Sequence, residues 1–270
     1  MTRTGRRPAG VAALLAALLL PVLATPAAAQ PRPSAVRPGL PEDVLALACG
    51  PRVTYGVPDQ SLRVTGGQDS FGRRVWAPGD LITINGGFEN GIEAGQVYYV
   101  RRLQTKENHP PSRETPGSIR TAGWVRVYAT DPQMSLVTVV HACDSIDVGD
   151  YLEPFVAPVV PKPTAEIAKP QKENYGRIMI GEDFRRSFGR GDFFVVDRGS
   201  DHGVKPGDRF VIYRERKLDE NFLYDLGDAV AVEVHAETST LQATVSRDAF
   251  AAGDYVALRR QPKTQPGTQP

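Results

Sequence analysis

Four groups of residues in this chain have the types and spacing of chemistry. Ser200-Asp201-His202 carries the three side chains of a hydrolase relay. Consecutive residues between Gly199 and Gly203 cannot line up hydroxyl, imidazole and carboxylate, and the segment is not a Gly-x-Ser-x-Gly elbow. His141 and Cys143 stand one residue apart, on one face of an extended strand, and Cys49 is the second of two cysteines. Zinc takes four such ligands, or three and a water, and His109, His202 and His235 do not cluster with this pair in sequence. Asp144, Asp147 and Asp150 lie close together, but without the alternation and distal Glu of a calcium loop. Arg190-Gly191-Asp192 spells an integrin-type tripeptide.

The elements that position these residues explain most of them, because the chain repeats itself. Gly87-Phe88-Glu89-Asn90-Gly91-Ile92-Glu93-Ala94-Gly95 returns as Gly199-Ser200-Asp201-His202-Gly203-Val204-Lys205-Pro206-Gly207, from position 87 to position 199, a displacement of 112. Gly79-Asp80 and Gly191-Asp192 keep that displacement, while Gly123, Asp144 and Gly149-Asp150-Tyr151 return as Gly227, Asp248 and Gly253-Asp254-Tyr255, displaced by 104. The difference falls between Arg102 and Gly123, so one loop is longer in the first copy. A repeat of this length is a duplicated domain. It converts the apparent motifs into turn chemistry: Ser200-Asp201-His202 answers to Phe88-Glu89-Asn90, and Arg190-Gly191-Asp192 to Pro78-Gly79-Asp80. Asp144 and Asp150 recur as Asp248 and Asp254, which points to turn capping. No nucleophile, paired carboxylate or metal set recurs or clusters, so the expectation is a protein that is not an enzyme and holds no cofactor or metal.

Within each copy the apolar residues come in short alternating runs: Leu81 to Asn85, Val97 to Arg102, Trp124 to Thr130 and Ser135 to His141, then Phe193 to Asp197, Arg209 to Arg214, Ala229 to His235 and Thr240 to Ser246. β-Branched and aromatic runs punctuated by Gly, Pro and Asp are strands. In Gly-x-x-x-Gly-[Ile/Val]-x-x-Gly a strand ends, the chain turns through positive φ, one apolar residue plugs the barrel end, and the next strand begins. The expected fold is all-β: two duplicated small SH3-like or related β-barrel domains joined by a Pro-rich linker, since closure leaves no exposed sheet edge. The boundaries read as a signal peptide over 1–29, a flexible leader over 30–44, barrels over 45–155 and 175–260, a linker over 156–174 and a disordered tail over 261–270.

Arg3, Arg6 and Arg7 precede an apolar run, Val11 to Ala24, closed by Ala27-Ala28-Ala29, the pattern of a cleaved secretory signal. Pro8-Ala9-Gly10 lacks the apolar residues a twin-arginine signal carries after its pair, so general secretion is expected. Glu42 and Asp43 interrupt the apolar core that a lipid-attachment box at Cys49 would need. No other segment reaches a membrane-spanning length, so no transmembrane anchor is expected in the mature chain. Export to an oxidising compartment predicts a Cys49–Cys143 disulfide that ties the entry segment of the first domain to its penultimate strand. Arg247 stands at the second copy's counterpart of Cys143, which makes the bond an accessory of one domain. Lys+Arg number 32 and Asp+Glu 31, without a basic block, which removes the warrant for nucleic acid.

Gly176-Arg177-Ile178-Met179-Ile180-Gly181-Glu182-Asp183, with Gly191-Asp192, Gly203-Val204, Gly207 and Tyr213, resembles the β-barrel modules that follow LysM domains in bacterial envelope proteins. The Gly-Val-x-x-Gly-Asp…Gly-Asp-Tyr skeleton is also similar to the C-terminal barrel of flagellar T-ring proteins. No LysM sequence is present, so the resemblance does not carry direct peptidoglycan binding with it. Shared positions maintain the barrel, which leaves the differing hairpin loops as the place for binding. Gln104 to Arg120 carries Lys106 and Arg113, and Glu215 to Asp225 carries Phe222, Leu223 and Tyr224 as apolar anchors for a partner. The expected role is an exported, non-catalytic cell-envelope scaffold or adaptor, periplasmic or associated with the outer membrane or wall, that binds an envelope protein or peptidoglycan. The alternative is a carbohydrate-binding module for envelope glycan, stacking sugar on Trp76, Trp124 and Tyr98.

Overall fold

Alternating β-branched and aromatic residues form thirteen strands among the described residues of the computed structural model, which are 40–67, 75–105, 109–165, 175–181, 187–215 and 222–259. Helix α1 (Glu42–Ala48) and strand β1 (Arg52–Thr54) come first. The first copy then supplies β2 (Val64–Gly67), β3 (Leu81–Ile84), β4 (Val97–Gln104), β5 (Gly117–Thr130), β6 (Ser135–Ala142) and β7 (Tyr151–Pro154). The second supplies β8 (Tyr175–Gly181), β9 (Phe193–Val196), β10 (Arg209–Glu215), β11 (Leu223–Val234), β12 (Ser239–Ser246) and β13 (Tyr255–Leu258).

The two copies have one strand order. The second is a closed barrel, β10-β11-β12-β9-β8-β13, and the first runs β2-β3-β6-β5-β4-β7, with β1 added beside β5. The ends of the first sheet meet at a single antiparallel bridge, Arg63 to Tyr151, where the second copy pairs Arg177 with Tyr255 inside a longer ladder. Each barrel has its own interior. Ile82, Ile84, Val100, Val125, Val137 and Ile146 fill the first, and Phe194, Phe210, Ile212, Leu241, Phe250 and Val256 fill the second. Ile92 and Val204 plug equivalent ends, after 3-10 turns that finish on Gly91 (φ 76°) and Gly203 (φ 79°).

The long strands exceed the apolar runs seen in the sequence. β5 reaches back to Gly117 and β11 to Leu223, because each bends at a bulged glycine instead of ending there. At Gly123 (φ 157°) an added Cβ would sit 2.1 Å from the His141 carbonyl oxygen, and at Gly227 (φ 155°) 2.1 Å from that of Val245. Only glycine lets the partner strand come so close, and the bend lets one strand serve both halves of the barrel. The hairpin arms consequently take in Gln104 and Gly117 to Arg120 on one side and Leu223 to Asp225 on the other, residues expected in loops.

Both barrels belong to one compact unit that begins at Leu40. The entry segment lies between them. Glu42 to Val44, expected in a flexible leader, open α1, whose Leu47 packs on Phe193 and Val232 of the second barrel together with Val160. Arg52 pairs with Glu233 at 3.0 Å, and the Thr240 hydroxyl donates to the Pro51 carbonyl at 3.4 Å. The linker is docked where it is described. Thr164 N–H donates to the Gly207 carbonyl at 2.9 Å, and Arg209 Nε donates to the Thr164 carbonyl at 2.8 Å. The Gly207 carbonyl and the Arg209 side chain thus hold the described part of the Pro-rich linker, which ends at residue 165.

Candidate functional site

The apparent catalytic motifs are turns. Gly199 N–H donates to His202 Nδ1 at 3.2 Å, as Gly87 N–H donates to Asn90 Oδ1 at 3.2 Å, so the imidazole caps its own 3-10 turn. Asp192 accepts from Gly189 N–H at 2.8 Å, and Asp80 from Ala77 N–H at 2.7 Å. Asp150 caps Asp147 N–H at 2.9 Å while its two oxygens take Arg102 Nε at 2.6 Å and Nη2 at 2.8 Å. Asp254 repeats this with Ala251 N–H at 2.7 Å and Arg214 Nε at 2.8 Å. A buried carboxylate that accepts from both a turn amide and a guanidinium locks the turn that enters the closing strand, β7 or β13, onto its neighbour β4 or β10.

Cys49 and Cys143 form a disulfide across a Cα separation of 5.7 Å. Their sulfurs and a ring nitrogen of His141 lie within 4.8 Å of one another, and the disulfide engages both sulfurs. His141 stacks on Trp124 at 4.4 Å between ring centroids, and burial pushes its imidazole below the ordinary range.

The residues expected to meet a partner are dispersed. Lys106 lies outside the described residues. Arg113, on the β4–β5 hairpin, pairs with Glu237 of the second barrel's β11–β12 turn at 2.6 Å. Phe222 precedes β11 with 55 % of its surface exposed, and its ring meets Tyr224 at 4.7 Å in a T-shaped pair. Leu223 and Tyr224 are half-buried and pair with Glu215 and Arg214 of β10. Trp76, Trp124 and Tyr98, the rings expected to stack on sugar, are buried and present no face. Trp76 bridges Ile146 at the place where Phe188 bridges Phe250 in the second barrel, so it is a core residue of the common fold.

A polar constellation that the motifs did not suggest sits on the outer face of the first barrel. Alternation along β4 sends Tyr98 and Val100 inward and Tyr99 and Arg101 outward, where β7 adds Glu153. Helix α1, Phe155 and the second barrel's Val232 and Glu233 surround this face, leaving a cleft of about 340 Å³. Arg101 is 3 % exposed, with its guanidinium 4.2 Å above the Tyr99 ring and its Nε 3.1 Å from a Glu153 oxygen. The Glu153 contact is an ion pair outside hydrogen-bond geometry, and Nε and Nη1 of Arg101 have no hydrogen-bond partner. Burial first, then the Arg52 charge, lower the Arg101 pKa. The sequence held a signal for this face: Val211, Tyr213 and Ala257 stand in the second copy where Tyr99, Arg101 and Glu153 stand in the first.

No protein-family model matches this chain, and no curated protein does.

Proposed function

We propose that the chain is an exported, non-catalytic scaffold or adaptor of the cell envelope, periplasmic or held at the outer membrane or wall, that binds a protein partner or the wall. The Phe222–Tyr224 ring pair carries this reading: an aromatic ring more than half exposed where β11 begins is a contact residue awaiting cover. The β10–β11 arms hold the pair through strand pairing from Arg209 to Glu215, interrupted by one bulge between Ile212 and Tyr213, so binding would cost little ordering. Two barrels joined through one entry segment offer a body on which such a hairpin keeps its orientation.

The test is crosslinking in the native envelope with mass-spectrometric identification of what is captured. Substituting Phe222, Leu223 and Tyr224 together with Ser should reduce a specific captured species several-fold and leave the melting temperature within a few degrees. Unchanged capture would remove this hairpin as the binding surface, and collapse of the second barrel's transition would assign the residues to its core.

A further inference from the structure

The duplication isolates a second site. The second barrel folds with Val211, Tyr213 and Ala257, so Arg101 and Glu153 are additions the common fold does not require. Arg101 lines the cleft while nearly fully buried, and Arg52 and Glu233 on the same wall neutralise one another at 3.0 Å. A desolvated guanidinium whose Nη1 has no hydrogen-bond partner and whose Nε meets Glu153 outside hydrogen-bond geometry is costly unless something completes its shell. We propose that this cleft binds a monocarboxylate on a short aliphatic body, received by the Arg101 guanidinium.

Three features select that chemistry. The planar fork of Arg matches the two oxygens of a carboxylate. Leu47, Ala48, Pro158 and Val232 provide apolar walls for an aliphatic body, and about 340 Å³ lies at the small end of ligand-site volumes. Glu153, 3.1 Å from the Arg101 Nε, opposes a doubly charged anion more strongly than a singly charged one, which argues against phosphate. The same chemistry is found in a free short-chain carboxylate and in the C-terminus of a peptide ending in a small apolar residue. The site is separate from the β10–β11 hairpin, so its fate does not decide the scaffold reading.

The experiment uses the full chain labelled with ¹⁵N-arginine, following side-chain Nε–Hε signals during titration to about 10 mM, the range suited to weak sites. The probes are pentanoate, N-acetyl-Ala-Ala as free acid, inorganic phosphate, and pentanamide as the uncharged control. A saturable shift of the Arg101 signal with pentanoate assigns a free carboxylate, with the dipeptide acid a chain terminus, and with both the shared chemistry. Failure of both acids, or an equal response to pentanamide or phosphate, overturns the proposal. Calorimetry with the Arg101→Lys variant should show binding weakened about tenfold, since charge survives and the fork does not. Because that change is buried, Val156→Trp serves as an independent block: Val156 is 74 % exposed at the cleft, and filling the mouth should abolish the shift without altering the melt. Wild-type binding by the Val156→Trp protein would refute the site.

Discussion

Cys49, which caps helix α1, is bonded to Cys143 just beyond β6, and Leu47, two residues earlier, packs against Phe193 and Val232 of the second barrel. The disulfide therefore does more than brace one domain, because it anchors the segment on which both barrels rest. Its sequence separation of 94 closes a long loop, for which the chain-entropy model gives about 4.7 kcal/mol. Reduction, or Cys49→Ser with Cys143→Ser, should lower the first barrel's melting temperature and speed proteolysis of the linker near Val159. Equal melting and cleavage with and without reductant would contradict this role.

The duplicated glycines separate close approach from turn geometry. Gly123→Ala or Gly227→Ala forces a Cβ to within 2.1 Å of a backbone oxygen, and each should cost about 3 kcal/mol or more in its own barrel. Gly91→Ala has open space around it and bears only the left-handed backbone penalty, about 1–2 kcal/mol. Urea denaturation of the three variants should rank them in that order, and equal midpoints would show that the partner strand relaxes away.

Arg102→Met leaves the Asp150 carboxylate, 2 % exposed, with one cationic partner fewer. Leaving a buried carboxylate without its partly exposed guanidinium costs about 1–3 kcal/mol. Arg214→Met should reproduce the loss in the second barrel through Asp254, 6 % exposed. Asp150→Asn in the Arg102→Met background should recover part of the loss, and a double variant no more stable than Arg102→Met would assign the cost to lost packing.

Glu233 ties the barrels together in a pH-dependent way. Burial alone would raise its pKa, but the His235 hydrogen bond and the Arg52 and Arg101 charges outweigh burial and hold it below the ordinary 4.5. The ionised form is therefore favoured on folding, so this stability is present above the ordinary carboxyl range and lost as pH falls through the lowered value. Glu233→Gln should flatten the fall in urea midpoint between about pH 5 and pH 3. An acid limb identical to wild type would remove Glu233 from the acid response.

The common fold was legible because its turns recur. Gly91 and Gly203, Asp150 and Asp254, and Ile92 and Val204 are set by backbone sign, local capping and end-plugging, which act within a few residues and leave their mark on residue type. Strand length was not legible. Gly123 and Gly227 look like strand ends, and only the approach of the His141 and Val245 carbonyls shows that the strands bend there and continue.

By itself the sequence determined the duplication, the all-β class and a cysteine pairing suited to an oxidising compartment, since each follows from residue identity and spacing. Tertiary structure alone decided what lies between the copies. Leu47 reaching Phe193, Arg52 reaching Glu233, Arg113 reaching Glu237 and the burial of Arg101 are contacts between segments far apart in the chain. Such contacts depend on which outer faces meet, and β-strand alternation specifies that a residue points outward without specifying what covers it.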